Sequence, residues 1–323
     1  MNKTTNIIKA QEQELTAIEL NDLNTEIIDQ FINSLDIKPI SKKAYSKSLF
    51  YFIGYLEKQG IQHPQRSTIL EYKQHLTDNY TASTVGAYLT SVRQFFTWLN
   101  AETGYPLITA GIKNPHTSRT GHLKDALTAP QAKDLLTTIN TNNLKGKRDL
   151  ALIELMTLTG LRTIEVIRAD IQDLRQLDGS TVLYIQGKGR DEKDEYVKVP
   201  QSVLNAITDY LQARNQQAPI KENEPLFTSC SNRSKNQRLT TRSISRICKQ
   251  SMKQAGINSN RLTAHSLRHT AVTFALKAGA SIREVQTMAR HSNPLTTERY
   301  AHDLKRLENS AEDMAEKYLL NVA

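Results

Sequence analysis

From Asn24 to Asn100 apolar residues recur every three or four positions, in blocks separated by polar punctuation. In the block Ser41 to Gln59, Tyr45, Leu49, Phe52, Ile53 and Leu56 share one helical face, while Lys42, Lys43 and Lys47 fall outside it. The block Ala82 to Leu99 repeats the pattern with Val85, Tyr88, Leu89, Val92, Phe95, Phe96 and Leu99. Gly60 and the Gln62-His63-Pro64 stretch end the first block, and a shorter helix is expected between Ser67 and Asp78. These elements predict a small all-helical domain. After Trp98 the period fails, and Ala101 to Ala126 carries Gly104, Pro106, Gly111, Pro115 and Gly121 with scattered Ser, Thr and basic residues, a linker composition.

Periodicity resumes at Leu127-Thr128-Ala129-Pro130-Gln131, where Thr128 can cap a helix, Pro130 suits its first turn and Gln131 completes a capping box. A domain boundary near residue 120 follows. The remainder reads as mostly helical, with patterns over Val203 to Arg214, Thr241 to Ala255, His265 to Ala278 and Ser281 to Arg290. One interruption stands out. Val182-Leu183-Tyr184-Ile185 and Tyr196-Val197-Lys198-Val199 are rich in β-branched and aromatic residues and flank the polar run Gly187 to Asp194, which predicts a hairpin with a long exposed tip. Near the chain end Leu304, Leu307, Ala311, Met314, Ala315, Tyr318 and Leu319 again keep helical spacing.

The chain has 323 residues, 42 Lys+Arg against 33 Asp+Glu, and a formal charge of +9. Its length fits two domains, and 38% hydrophobic with 23% charged residues describes a globular chain rather than a disordered or membrane one. No apolar run approaches the ~18–20 residues of a membrane span. Met1 to Leu20 lacks the apolar core of a secretory signal, so a cytoplasmic, nucleoid-associated location and no membrane partner are expected. Cys230 and Cys248 have no partner at metal-ligand spacing and read as reduced, structural residues. The positive balance favours a polyanion without choosing among DNA, RNA and acidic lipid.

Of eight histidines, His265, His269, His291 and His302 fall in the last sixty or so residues. On a helix His265 and Arg268 share a face, so both side chains can converge on one anion. Arg162 and Glu165 also stand one helical turn apart, and Lys188 sits between two glycines at the hairpin tip. Each residue has a plainer reading: a surface ion pair for Arg162 with Glu165, a solubilising charge for Lys188, a core residue for Tyr300. His265 and His269 have the i,i+4 spacing of a zinc pair, but no further ligand set accompanies them, and no metal or other cofactor is expected.

The ordered combination of Thr159-Gly160-Leu161-Arg162-Thr163-Ile164-Glu165, Gly187-Lys188-Gly189, His265-Ser266-Leu267-Arg268-His269, and His291 with Tyr300 nine residues later resembles the tyrosine recombinase (phage-integrase) family, in its simple two-domain, Xer-like form. The resemblance implies a mainly α fold: a small all-helical SAM-like core-binding domain, then a mixed α+β catalytic domain, mostly helical with a small β-hairpin sheet. It implies the domain limits 1–112, a linker 113–126, a catalytic domain 127–302 and a helical tail 303–323 that contacts a neighbouring protomer. The implied reaction is site-specific recombination through a covalent 3′-phosphotyrosyl intermediate and a Holliday junction.

The implied catalytic set is Arg162, Lys188, His265, Arg268, His291 and Tyr300. Tyr300 is the nucleophile, and Arg162 and Arg268 clamp the phosphate. His265 adds a hydrogen bond and exchanges a proton with Tyr300, while His291 donates to the same phosphate. Lys188 serves as general acid for the 5′-oxygen, with Glu165 in support. The implied partners are double-stranded DNA carrying recombination sites and three further copies of the chain. These assemble as a tetramer on DNA from a monomer in solution, with room for accessory DNA-bending proteins. Lys42, Lys43, Lys47 and Arg93 become candidate DNA-facing residues, and the two domains close on duplex DNA as a clamp. Two rivals stand beside this reading: a type IB topoisomerase-like nicking-closing enzyme and a non-catalytic architectural DNA-binding protein.

Overall fold

In a computed structural model, residues 25–116, 125–187, 189–291, 293–308 and 311–320 are described, without the side chains of 25, 299 and 303–308. Lys188, Arg119 and Lys124 lie outside the described residues. The chain divides into two units, Met1–Arg119 and Thr120–Ala323.

The first unit holds α1 (Thr25–Ser34), α2 (Pro39–Gln59), α3 (Arg66–Asn79) and α4 (Ala82–Thr103). α2 starts at Pro39, whose missing N–H costs nothing in a first turn, and stops at Gly60, whose φ of 65° lets its N–H turn back to the carbonyls of Leu56 and Glu57. Thr81 caps α4 by accepting a hydrogen bond from the Thr84 N–H. Leu49, Phe52 and Leu56 of the α2 stripe are buried, while Tyr45 and Ile53 are half-buried. The core is strongly aromatic: Phe31 meets Phe95 edge-on at 5.5 Å between ring centroids, and Phe52 meets Tyr72 at 4.9 Å.

The second unit opens with α5 (Ala129–Thr137), where the expected capping box forms: Gln131 N–H donates to Thr128 Oγ1, and Thr128 N–H donates to Gln131 Oε1. α6 (Leu144–Thr159) runs through the core against α8 (Gln201–Gln217) and α10 (Ala264–Lys277), which is why its buried residues lie on most of its circumference. The short α7 (Thr163–Arg168) follows it.

The sheet is larger than the expected hairpin. It has three antiparallel strands in the order β1 (Leu174–Leu177), β2 (Ser180–Ile185) and β3 (Glu195–Lys198). Val182 pairs with Lys198 and Ile185 with Glu195, leaving 186–194 as the tip. β1 has no β-branched residue, so the sequence shows no strand there. It forms because Asp178-Gly179, both at positive φ, make the two-residue turn that returns the chain from Leu177 to its partner Ser180.

α9 (Thr241–Gln254) and α10 complete the large core, and Cys248 is buried in it, its thiol pushed up to about 12 by burial. α11 (Ile282–Ala289), α12 (Pro294–Glu308) and α13 (Ala311–Leu320) end the chain. Val272, Val285, Ala289 and Tyr300 form a separate small core between α10, α11 and α12. Every residue of α13 is exposed, including Met314, Tyr318, Leu319 and Leu320. Among the described residues no helix is long and apolar enough to cross a membrane.

Candidate active site

α6 ends at Gly160, whose φ of 64° turns the chain sharply, and whose carbonyl accepts a 2.6 Å hydrogen bond from Arg268 Nη1. Two residues on, Arg162 precedes α7 and is fixed by Glu165 at both ends of the residue. Its main-chain N–H donates to Glu165 Oε2 at 2.7 Å, and its Nη1 donates to Oε1 at 2.8 Å. Glu165 is fully buried and takes a further 2.8 Å bond from Arg290 Nη2. Burial works against its negative charge, but Arg290 and Arg162 outweigh it and hold the carboxyl below its ordinary range. Arg290 ends α11 at φ 53°, and its carbonyl accepts from Arg162 Nη2 at 3.0 Å.

Arg268, on the second turn of α10, is almost wholly buried, and its Nη2 donates to the Ala289 carbonyl. Burial, with Arg162 and Arg290 nearby, lowers its guanidinium to about 9, so it stays charged at neutral pH. Tyr300 reaches the same place from α12. It is 7% exposed, its hydroxyl lies against His269 Nδ1, and burial raises its phenol above the ordinary value while Arg268 opposes the shift. His291 is oriented by a 2.8 Å contact between its Nδ1 and Thr297 Oγ1, and its ring stacks parallel to Tyr300 at 6.4 Å.

A cavity of about 510 Å³ opens over Arg162, Arg290 and His291, lined also by Arg190, Glu195 and Arg283 among others. A basin with this many guanidiniums and an imidazole suits an anion with several oxygens, since each guanidinium presents a planar fork of donors. Gly187 and Lys193 of the hairpin tip beside it are tied down. Arg168 Nη1 donates to the Gly187 carbonyl, and Lys193 bridges Asp170 and Asp173.

Of the residues expected from the sequence, the structure thus gathers Arg162, Glu165, Arg268, His291 and Tyr300. Lys188 is outside the described residues, though its neighbour Gly187 lines the cavity. His265 is exposed on α10, its ring edge-on to His269 at 4.6 Å. The sequence alone assigns His269 and Arg290 no role. The local signal of Arg290 is its adjacency to His291, and that of His269 is its adjacency to Arg268 and its one-turn spacing from His265. Among described residues no group of three or more His, Cys, Asp or Glu could hold a metal. In the first unit Lys43 and Lys47 are exposed, and Lys42 Nζ donates to the Asn33 carbonyl at 3.3 Å. Arg93 donates to the Ile112 carbonyl and to Asn114 Oδ1, so it also holds the segment after α4 in place.

Residues 125–306 match the Phage integrase family, and residues 28–103 match the Phage integrase, N-terminal SAM-like domain. The chain belongs to the phage integrase family. It is a tyrosine recombinase, an enzyme that cleaves and rejoins DNA strands. It is 30% identical over 290 residues to the tyrosine recombinase XerD of Staphylococcus epidermidis, covering 87% of this chain and 94% of that protein. To the XerD of Listeria monocytogenes it is 27% identical over 296 residues, covering 88% and 95%. In fold this recombinase is similar to the XerH site-specific recombinase bound to a palindromic difH substrate in a post-cleavage complex, with a TM-score of 0.72 at 18% identity over 98% of this chain and 90% of that one. A lambda integrase tetramer bound to a Holliday junction gives 0.63 at 15% identity, covering 91% and 82%.

Proposed function

We propose that this recombinase cleaves a specific DNA site by attack of the Tyr300 hydroxyl on one phosphodiester, forming a 3′-phosphotyrosyl bond and releasing a 5′-hydroxyl. The observation that carries the reading is the gathering of Tyr300 from α12, Arg268 from α10, Arg162 from the start of α7 and His291 from just beyond α11, with Arg162 and His291 lining the basic cavity and the Tyr300 ring stacked on His291. A phenol is a weak nucleophile and a phosphodiester repels it, so cations have to offset the charge that grows on the non-bridging oxygens. Arg162 and Arg268 supply that charge, and His291 adds a donor. His265 stays in the set as a further donor from the exposed face of α10. His269, against the Tyr300 hydroxyl, is placed to take its proton as the oxygen attacks. Lys188 returns a proton to the departing 5′-oxygen. The phosphotyrosine conserves the bond energy, so a 5′-hydroxyl from a second site can religate without ATP.

The partner is duplex DNA, held by Lys43, Lys47 and Lys42 of the first unit as well as by the catalytic unit. The exchanging assembly is a tetramer on two sites, built from chains that are monomeric in solution, with accessory DNA-bending proteins as optional partners. Relatives of the same fold are described on a difH substrate and, as a tetramer, on a Holliday junction. The exposed apolar side of α13 favours the tetramer over a monomeric nicking-closing enzyme, because Met314, Tyr318 and Leu319 have nothing to cover them within the described chain. The test is a nicked suicide duplex carrying the target site. The wild-type chain forms an adduct that survives denaturation, and Tyr300→Phe forms none. An adduct from the Phe variant would show that another residue is the nucleophile.

A further inference from the structure

Arg290 occupies a backbone position that an arginine takes only at a cost. Its φ of 53° is left-handed, a conformation in which a side chain crowds the carbonyl and which glycine adopts freely. The main-chain work done there needs no side chain. The Arg290 N–H closes α11 onto the carbonyls of Gln286 and Thr287, and its own carbonyl accepts from Arg162 Nη2. The side chain is nevertheless folded inward, 7% exposed, with Nη1 on the Met288 carbonyl at 2.6 Å and Nη2 on Glu165 Oε2 at 2.8 Å. Its Nε is buried without an acceptor. Backbone strain and an unpaired buried donor are both unfavourable, so the contact they accompany has to matter to the site.

We infer that Arg290 is a positioning residue for strand cleavage: it clips Arg162 and His291 into one frame by holding Glu165 from the opposite side and presenting its carbonyl to Arg162. This rests on the reading of Arg162 and His291 as phosphate-binding groups. Through the clip Arg162 is fixed at Nη1 by Glu165 and at Nη2 by the Arg290 carbonyl, while its side chain, 28% exposed, still lines the cavity. His291 is the next residue along the chain, so the turn that sets the Arg290 carbonyl also sets the imidazole.

The charged groups around Glu165 are Arg162 at the start of its own helix, Arg290 from the end of α11 and Arg268 from α10, with Glu195 of β3 acting on Arg290 in turn. Burial pushes the Glu165 carboxyl up, and the charge of Arg290, together with the charge and two hydrogen bonds of Arg162, pulls it down. Without Arg290 the carboxyl protonates at higher pH and releases Arg162 as it does so.

The experiment compares wild type with Arg290→Gly, which relieves the left-handed strain and keeps the main-chain bonds, and with Arg290→Lys. Single-turnover cleavage of the suicide duplex by Arg290→Gly should fall on the order of a hundredfold, as expected for a displaced phosphate clamp, with binding to the site unchanged. Its rate should also drop on the acid side in a pH range where the wild type is flat. Arg290→Lys should recover part of the rate, and Glu165→Gln combined with Arg290→Gly should be no slower than Glu165→Gln alone. A rate and pH profile for Arg290→Gly equal to wild type, or additive losses in the double variant, would overturn the inference. A second readout does not depend on cleavage. In the free full-length chain, carbon NMR of the Glu165 carboxyl should show its titration moved to higher pH in Arg290→Gly, and an unmoved titration also overturns the inference. A wild type that fails to cleave would refute the proposed function while the carboxyl titration still decides the role of Arg290.

Discussion

Replacing Glu165 with glutamine tests how the catalytic unit is held together. The carboxylate is fully buried and receives bonds from Arg162 N–H at 2.7 Å, Arg162 Nη1 at 2.8 Å and Arg290 Nη2 at 2.8 Å. Removing one partner of a buried ion pair costs about 3–5 kcal/mol, because the other charge is left uncompensated away from water. Arg290, 7% exposed, bears that full cost, whereas Arg162 at 28% recovers part of it from solvent. Glutamine also keeps one acceptor oxygen, so the loss belongs near the lower bound, about 3 kcal/mol. With a urea dependence of about 2 kcal/mol per molar, the unfolding midpoint of the catalytic unit should fall by roughly 1.5 M.

Far-UV circular dichroism follows that transition, and Trp98, the single tryptophan, packs half-buried against the core of the first unit and supplies an internal reference. The pH dependence has a fixed sign. The folded carboxyl lies below the ordinary 4.5, so its stabilisation is complete above that value and is lost as pH falls through the folded one. The gap between wild type and Glu165→Gln should therefore be constant from neutral pH down to about 5 and should narrow toward pH 3. A loss under about 1 kcal/mol, the worth of an exposed pair, would refute the reasoning. So would a gap that persists undiminished in acid.

Gly146 lies in the first turn of α6, and a Cβ there would stand 1.7 Å from the Asn140 carbonyl oxygen. Gly146→Ala should lower stability by about 2 kcal/mol or more in the same urea titration, and a neutral outcome would mean that the preceding loop yields freely. Cleavage by Lys188→Ala should recover on a substrate with a 5′-thio leaving group, which departs without a proton; a substrate-independent defect would remove Lys188 from the general-acid role. Deleting 303–323 should weaken the pairing of two sites, read by gel shift, far more than binding to one site. Equal losses would argue against a protomer contact through α13.

Much of the fold was legible along the chain because its signals are local. The stripe in α2, the Gly60 stop and the Thr128–Gln131 capping box depend on residues within a few positions of each other, and each forms as the spacing indicates. β1 is not legible because Leu174-Arg175-Gln176-Leu177 has no β-branched or aromatic residue, and only pairing with β2 across the Asp178-Gly179 turn makes it a strand. α6 is hidden for the opposite reason: it is buried on so many sides that no single apolar stripe marks it. In the site, Arg162, Glu165, Arg268, His291 and Tyr300 were legible as an ordered set of residue types. The partner of the Tyr300 hydroxyl was not. His265 and His269 are one turn apart on the same helix, and only the approach of α12 brings the hydroxyl of Tyr300 against His269.

By itself the sequence determined that this is a two-unit, mainly helical tyrosine recombinase, since period, punctuation and motif order are properties of the chain as written. The tertiary structure alone decided how the site is held. Arg162 and Arg290 stand 128 positions apart, and no local pattern could show that one buried carboxylate joins them. Their connection exists because the end of α6, the start of α7 and the end of α11 pack where water is excluded. There a carboxylate requires cations, and the cations in turn require carbonyls to receive their remaining N–H bonds.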